Sequence, residues 1–283
     1  MSVATVSKTV YGMAAQDGAG VKLKRIIGQP GLQNLDPFLM LDEFGSDSSA
    51  DYLPGFPPHP HRGFQTVTYM LTGKMRHRDS VGNDGVIESG GIQWMNAGRG
   101  IIHEEMPEQQ EGLLRGFQLW VNLPAKNKMS APDYQDIPAV DVPCWQRDDV
   151  VSVRLLSGNM DGRIGPVKTL SEDMAVPFFA DFRTTIEHNT DIPLNPDYQY
   201  FVYVFEGDVS ISQTPLKKGE LGVLTKAGLL QIGSGSEGAS FLLIGGQPLL
   251  EPIVQYGPFV MNTQQEIQQA LWDYQNNQLT AAR

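Results

Sequence analysis

Turn-forming residues divide this chain into short apolar runs, and this division limits the folds that it can adopt. The sequence holds 30 glycines and 19 prolines, and the runs between them are rich in β-branched and aromatic side chains. Such runs form antiparallel strands, whereas parallel sheets need intervening helices. The pattern therefore predicts an all-β fold of barrels or sandwiches. The strand-like runs lie at residues 64–71, 92–95, 114–123, 151–156, 198–205, 208–211, 221–224 and 240–244.

The chain length of 283 residues favours two domains rather than one. Residues 124–143 are polar, contain four prolines and lack a sustained apolar period, as is typical of a connecting segment. We therefore predict a first domain at residues 1–135 and a second domain at residues 136–283.

The C-terminal stretch predicts one short α-helix that ends the second domain. Thr263 and Glu266 have the spacing of a capping box, in which each side chain bonds the backbone of the other. An apolar stripe follows at helical spacing, which predicts a helix that packs against a barrel. The stripe consists of Ile267, Ala270, Leu271 and Tyr274.

The charge of the chain argues against direct binding to nucleic acids. The formal net charge is −11 and the pI is about 4.8, so the surface repels phosphate backbones. No lysine- and arginine-rich run reverses this sign locally.

The single cysteine and the lack of long apolar runs predict the cellular setting. Cys144 is the single cysteine, so an internal disulfide is excluded and nothing indicates an oxidising compartment. Residues 1–20 lack the apolar core of a signal peptide, and no run approaches the roughly 20 apolar residues that span a bilayer. We expect a cytoplasmic protein without a membrane partner, and a monomer.

Two pairs of polar residues indicate a metal site in the first domain. His59 and His61 are two residues apart, and so are His103 and Glu105. Side chains at this spacing on a strand point to the same face. Two adjacent strands could therefore direct all four side chains to one point, and Glu104 would point the other way.

Three imidazoles and one carboxylate suit a borderline divalent ion such as Fe, Mn, Ni, Cu or Zn better than Ca or Mg. With four protein ligands, an octahedral ion keeps two positions for water, substrate or dioxygen. A structural zinc site usually contains cysteine, which neither pair provides.

Together with further stretches, these residues make the chain resemble the pirin family of the cupin superfamily, over nearly its full length. The stretches are NLDPFL at 34–39, DEF at 42–44, PHPHRG at 58–63, QWMNAGRGIIH at 93–103, QLWVNL at 118–123 and QYGPFVMN at 255–262. The resemblance implies two tandem cupin barrels of the jelly-roll or double-stranded β-helix type. It implies that only the first barrel binds metal, usually Fe²⁺, through His59, His61, His103 and Glu105.

The resemblance also implies a function. Pirins resemble iron-dependent dioxygenases that open the ring of quercetin-type flavonols with O₂, which is quercetin 2,3-dioxygenase activity. In this hypothesis Glu105 is the catalytic base. The alternative is a non-enzymatic protein whose iron state controls its binding to a transcription factor or a metabolic enzyme, with a nuclear location if the source is eukaryotic. A third hypothesis is an inactive barrel that binds metal adventitiously.

Several neighbouring residues carry expectations of their own. Many family members have glutamate where this chain has Gln65, and its spacing from His61 predicts a hydrogen bond close to the metal. Arg62 and Arg99 could neutralise Glu105 or an anionic substrate.

Gln118 and Trp120 share a strand face, where core packing is the favoured role and lining of the cavity the alternative. His77 and His188 have no partner at ligand spacing in this interpretation, so we expect them to be solvent-facing or structural.

Overall fold

The computed structural model describes residues 2–168 and 176–281, and this part of the chain is built almost entirely of β-strands. One α-helix, α1 (Gln264–Gln275), follows the last strand. The predicted all-β fold with a short C-terminal helix is confirmed. Within the described ranges, no helix combines the length and the apolar character needed to cross a membrane.

The strands of the first half, numbered along the chain, are β1 (Val6–Tyr11), β2 (Met13–Asp17), β3 (Val21–Ile27), β4 (Phe38–Ser46), β5 (Phe56–His61), β6 (Phe64–Thr72), β7 (Lys74–Asp79), β8 (Asp84–Glu88), β9 (Ile92–Asn96), β10 (Ile101–Pro107), β11 (Leu114–Asn122) and β12 (Asp133–Ile137).

The strands that follow are β13 (Cys144–Gln146), β14 (Val151–Ser157), β15 (Asn159–Met160), β16 (Arg163–Ile164), β17 (Phe178–Thr184), β18 (Asn189–Pro193), β19 (Gln199–Ile211), β20 (Thr214–Lys217), β21 (Glu220–Leu224), β22 (Leu229–Gly246), β23 (Val254–Tyr256) and β24 (Phe259–Met261).

The chain forms two compact units. One unit contains Met13–Gln29, Pro37–Ala139 and Leu249–Arg283, and the other contains Met1–Gly12, Pro30–Asp36 and Val140–Pro248. We call them the histidine unit and the apolar unit, after the side chains that distinguish their interiors.

The histidine unit is built from two antiparallel sheets. Its larger sheet has the order β12-β9-β6-β11-β4-β3-β2, and its smaller sheet has the order β5-β10-β7-β8. Apolar side chains of both sheets form a shared core, with Phe44 and Met70 from the larger sheet and Met75 and Ile87 from the smaller one. The smaller sheet carries both predicted metal-binding pairs.

The apolar unit is a nine-stranded sheet in which β19 and β22 are the long central strands. Its interior is filled by apolar side chains, including Phe182 and Phe241, whose rings stack with centroids 5.1 Å apart. The predicted runs at 198–205 and 208–211 are parts of one strand. The residues between them form bulges in β19 rather than a turn between two strands.

The observed units differ from the predicted consecutive domains at both ends of the chain. The central boundary lies after Ala139, close to the predicted position at 135/136. However, β1 pairs with β21 in the apolar unit, and α1 packs on β24 in the histidine unit. The prediction joined each terminus to the domain nearest in sequence, whereas backbone hydrogen bonding and apolar burial placed each terminus elsewhere.

The proline-containing segment 124–143 is also more ordered than predicted. Its strand β12 pairs with β9 and extends the larger sheet of the histidine unit. Pro132 and Pro138 stand immediately outside this strand. Proline is tolerated at strand ends, so the prolines here mark the bounds of a strand rather than a linker.

The capping box of α1 forms as predicted, between Thr263 and Glu266. Ile267 and Ala270 are fully buried, but Tyr274 is 40% exposed. Asp273 is buried instead, and its carboxylate accepts a hydrogen bond from Arg62 at 2.7 Å. Arg62 directly follows the ligand strand β5, so this ion pair ties the C-terminal helix to the end of that strand.

Lys128 also stabilises the turn at Gly63, which follows Arg62. Its buried ammonium group donates to the carbonyls of Gly63 and Val260 and to the side chain of Asn122. A Cβ atom on Gly63 would lie 2.0 Å from the Val260 carbonyl oxygen, so only glycine fits. Burial lowers the pKa of Lys128 to about 8, although the three acceptors favour its charged form.

We predict that Asp273→Ala destabilises the protein strongly. The change leaves the guanidinium of Arg62 buried without its counter-charge, which costs about 3–5 kcal/mol. Glu88→Ala is the matched control, because the Lys74–Glu88 pair is exposed and its loss should change the free energy of unfolding by less than about 0.5 kcal/mol. Urea denaturation followed by circular dichroism measures both, and equal effects would contradict the prediction.

Candidate metal centre

The pairing of β5 with β10 brings three histidines together. The two strands are antiparallel neighbours, with His59 opposite His103 and His61 opposite Ile101. One ring nitrogen from each of His59, His61 and His103 lies within 4.8 Å of the others. Three of the four predicted ligands therefore meet at one point, in a group that we call the histidine cluster.

Close backbone contacts hold the two strands in this register. The amide of Gly63, after β5, donates to the carbonyl of Gly98, before β10, at 2.8 Å. A Cβ atom on Gly98 would lie 2.3 Å from the carbonyl oxygen of Ser130, and its φ of +47° also favours glycine. The glycines beside the two motifs thus permit the backbones around them to approach closely.

The ring nitrogens of the histidine cluster are short of hydrogen-bond partners. Both nitrogens of His61 and the Nε2 atom of His103 are buried, with no partner in hydrogen-bonding geometry among the described residues. An unsatisfied buried polar group costs on the order of 1–3 kcal/mol. His59 differs, because its Nδ1 lies 2.9 Å from the Pro57 carbonyl, which leaves Nε2 with its lone pair.

The environment keeps His61 and His103 neutral. Burial lowers the pKa of His61 and of His103 well below the usual 6.5, and the neighbouring histidines lower both further. The Pro258 carbonyl opposes this shift in part at His61, although no hydrogen bond to it forms. A neutral imidazole has the lone pair that metal coordination requires.

The histidine cluster fits a divalent metal ion. The fit rests on the common focus of the three imidazoles and on the unpartnered buried nitrogens of His61 and His103, since a bound ion would satisfy these rings at once. His59 is half-buried while His61 and His103 are 2% and 1% exposed, so the cluster is accessible from one side.

Glu105 faces the same side of β10 as His103 but lies outside the histidine cluster. Its carboxylate is 4% exposed and accepts hydrogen bonds from the Thr68 hydroxyl at 2.8 Å and from the Gln118 amide at 3.1 Å. Glu104 points away and lies 3.6 Å from Arg78. The predicted alternation is therefore correct, and the fourth side chain is held by neighbours on β6 and β11.

Gln118 and Trp120 line the site, which was the less favoured of their two predicted roles. The Trp120 ring lies edge-on to His61 with centroids 5.3 Å apart, and it packs against Phe64 at 4.3 Å. Both Gln118 and Trp120 are half-buried, as expected for side chains at an open cavity.

Gln65 does not occupy the position that its spacing predicted. Thr68 contacts Glu105, and Gln65 is three residues from Thr68 on an unbroken stretch of β6, so it lies on the opposite face. The prediction carried the alternation of β5 through Gly63, where the chain turns with φ of +89°. The expected hydrogen bond from Gln65 near the metal was therefore wrong.

The two arginines also differ from expectation. Arg62 pairs with Asp273, and its Nε donates to the backbone carbonyl of Arg99. The Glu105 carboxylate accepts hydrogen bonds from two neutral groups, the Thr68 hydroxyl and the Gln118 amide. Neutralisation of Glu105 by an arginine gains no support from these contacts.

A partly buried ion pair lies next to Gln118 in the larger sheet. Asp42 lies opposite Gln118 on β4, and Arg25 of β3 lies opposite Asp42. Arg25 donates to both carboxylate oxygens of Asp42, at 3.0 and 2.7 Å. Burial nevertheless raises the pKa of Asp42 to about 6.

The sequence-based prediction missed a third pair of potential ligands that are two residues apart on a strand. His77 and Asp79 are two residues apart on β7, which pairs with the other side of β10, so that Asp79 faces His103 and His77 faces Glu105. Both side chains are fully buried, so of the two roles expected for His77, solvent-facing or structural, the structure favours the structural one. The shared i, i+2 spacing was the available indication.

We expect His103→Ala to weaken Zn²⁺ binding by at least about 100-fold, beyond the usual 10- to 100-fold cost of losing a residue that only supports a ligand. His188→Ala is the control, because His188 pairs with Asp148 in the apolar unit and should leave the affinity unchanged. Chelator competition measures both affinities, with circular dichroism to verify folding. Wild-type affinity in folded His103→Ala would contradict the assignment.

Comparison with known proteins agrees with this geometry. The model of the pirin family matches residues 20–121, and that of the pirin C-terminal cupin domain matches residues 179–280. The chain is 46% identical, over 95% of both chains, to the Pseudomonas aeruginosa protein named "Putative quercetin 2,3-dioxygenase". It is 45% identical to a pirin-like protein of Caulobacter vibrioides, over 97% of this chain and 99% of that one.

Solved structures extend the comparison. The crystal structure of quercetin 2,3-dioxygenase from Acinetobacter baumannii has a TM-score of 0.88 and 32% identity, covering 98% of this chain and 99% of that one. A nickel(II) complex of a bacterial pirin from Escherichia coli has a TM-score of 0.66 at 20% identity, covering 85% and 99%, which shows a common fold. With both family models matched and relatives above 40% identity over nearly the whole length, the chain belongs to the pirin family.

Proposed function

We propose that the protein is a metal-dependent dioxygenase that opens the central ring of quercetin-type flavonols with O₂. The observation that carries this proposal is the convergence of three imidazoles, two of them fully buried, whose ring nitrogens lie within 4.8 Å of one another. The names of the Pseudomonas and Acinetobacter relatives supply the reaction and the substrate class.

His59, His61 and His103 are the proposed metal ligands, with Glu105 as the fourth. Glu105 emerges from the same face of β10 as His103, and its carboxylate would exchange its bonds to Thr68 and Gln118 for the ion. Fe²⁺ is the proposed metal, on the resemblance to pirins. Mn²⁺, Ni²⁺, Cu²⁺ and Zn²⁺ also suit such ligands, and nickel is bound in the Escherichia coli relative.

Glu105 is also the proposed general base. A bound divalent ion would supply Lewis acidity toward the 3-hydroxy and 4-keto oxygens of a flavonol, which makes the hydroxyl proton easier to remove. Glu105 would accept that proton after it leaves the ion and returns to Thr68 and Gln118, which then hold its carboxylate in place. In the overall reaction one flavonol and one O₂ give one depside and one carbon monoxide.

The hydrogen bonds around Glu105 suit a group that alternates between two protonation states. The Thr68 hydroxyl lies within 2.8 Å of Glu105 and 2.6 Å of the Gln118 side-chain oxygen, but it has one proton for these two acceptors. When Glu105 carries the proton, it donates to Thr68, Thr68 donates to Gln118, and Gln118 donates back to Glu105. The three groups then form a closed cycle, so the network can hold the proton taken from the substrate.

The half-buried ring of Trp120 suits a planar substrate. It packs on the fully buried Phe64 beside His61, and an accessible aromatic ring binds flat aromatic molecules by offset or edge contacts. A flavonol that enters from the open side near His59 would therefore contact both apolar and metal-binding groups.

The decisive experiment loads the protein with Fe²⁺ without oxygen, verifies one bound iron by elemental analysis, adds quercetin and then admits air. We expect the flavonol absorbance to decay and carbon monoxide to appear in equal amount. Protein with full iron occupancy that leaves quercetin intact would contradict the proposal. It would favour the alternative of an iron-responsive interaction protein.

Cytoplasmic location and a monomeric state remain predictions.

Glu105→Gln tests the role of the base. At confirmed metal occupancy, we expect kcat to fall by about 100- to 10,000-fold, the usual contribution of a general base. Glu104→Gln is the matched control, since its side chain leaves the opposite face of the same strand and should retain near-normal turnover. Equal activity of Glu105→Gln and wild type would exclude Glu105 as the base.

A further inference from the structure

His77 and Asp79 form a chain of contacts that ends at a proposed metal ligand. The Nδ1 atoms of His77 and His103 lie 3.3 Å apart, and the His77 Nε2 atom lies 3.8 Å from an Asp79 carboxylate oxygen. The contacts therefore run from the Asp79 carboxylate through the His77 imidazole to the His103 imidazole, whose other nitrogen faces the proposed metal position. This inference rests on His103 being a ligand, as proposed above.

The contact between the two Nδ1 atoms restricts how protons are shared. Two neutral imidazoles can form a hydrogen bond only if one nitrogen carries a proton and the other presents a lone pair. If His103 donates from Nδ1, its Nε2 presents a lone pair to the histidine cluster. If His77 donates instead, His103 carries its proton on Nε2 and cannot coordinate a metal there.

Asp79 favours the first arrangement. The negative charge of a carboxylate attracts an N–H group, so Asp79 at 3.8 Å from the His77 Nε2 atom favours a proton on that nitrogen and a lone pair on the His77 Nδ1. The carboxylate is itself held by the backbone amides of Val81 and Asn83 and by the Asn83 side chain, at 2.7–3.0 Å. Asp79 therefore has a fixed position from which it can set the tautomer of His77.

The surroundings keep this chain of groups away from water. His77 and Asp79 have no exposed side-chain surface, and the Tyr134 ring covers His77 with centroids 4.7 Å apart. The His77 Nε2 atom has no hydrogen-bond partner among the described residues, and the Asp79 carboxylate lies 3.8 Å from it, so the charge of Asp79 acts on this nitrogen with little screening by water.

We propose that His77 and Asp79 are positioning residues that hold His103 in the tautomer able to bind metal. Asp79 places the proton of His77 on Nε2, and His77 then accepts the Nδ1 proton of His103. The Nε2 lone pair of His103 is thereby directed at the histidine cluster before any ion arrives. The third i, i+2 pair thus supports the other two instead of adding a ligand.

The first test uses the metal-free protein, so it is independent of catalysis. Long-range ¹H–¹⁵N NMR of the imidazoles distinguishes the two tautomers of His103. We expect wild type to carry the proton on Nδ1, and His77→Phe to shift the population toward Nε2 because the acceptor is lost. An Nε2 proton in wild type, or an unchanged His103 tautomer in His77→Phe, would overturn the proposal.

The second test measures Zn²⁺ affinity by chelator competition. We expect His77→Phe and Asp79→Asn to bind about 10- to 100-fold more weakly, as is usual when the partner of a ligand is lost. His77→Asn should retain most of the affinity, because its side-chain oxygen can take the place of Nδ1 as acceptor. Equal losses in His77→Asn and His77→Phe would mean that His77 only fills space, which also overturns the proposal.

Asp148 provides a matched control for Asp79. It lies 3.0 Å from His188 and accepts the backbone amides of Val150 and Val151, so it combines a histidine contact with turn capping as Asp79 does. Asp148→Asn should leave both the His103 tautomer and the Zn²⁺ affinity unchanged. Wild-type protein that shows the expected His103 tautomer but does not turn over quercetin would count against the proposed dioxygenase function alone.

Discussion

The antiparallel register between β5 and β10 is the constraint on which the site depends. With His59 opposite His103, alternate side chains of both strands point to one side of the smaller sheet. Because the side-chain period of a strand is two residues, a slip of one residue would turn a whole set to the opposite face. The tight turns at Gly63 and Gly98, joined by a backbone hydrogen bond, restrict such slippage.

Polar groups gathered in an interior need partners, and the histidine unit provides them by different means. The Glu105 carboxylate is satisfied by Thr68 and Gln118, and Asp42 is satisfied by Arg25. The nitrogens of His61 and the Nε2 of His103 lack such partners, which is costly unless an ion is bound. The unpartnered nitrogens of His61 and His103 thus suit the binding of an ion at the histidine cluster.

The C-terminal segment has a structural role in the histidine unit. Its helix supplies Asp273 to Arg62, and its strand β24 supplies the Val260 carbonyl to Lys128. Both contacts act on the turn that follows His61. The apolar unit, in contrast, fills its interior with side chains such as Phe182 and Phe241, and the described part of the chain places its three-histidine group in the other unit.

The sequence by itself determined the local features: the strands, the capped helix, and the shared face of His103 and Glu105. These depend on periods and spacings within one segment, which a chain carries wherever it folds. Tertiary structure alone decided which unit each terminus joins, that Gln65 turns away after Gly63, and that His77 and Asp79 stand behind His103. Those outcomes depend on turns that reset the alternation and on pairing between distant segments, and a pattern along one strand contains neither.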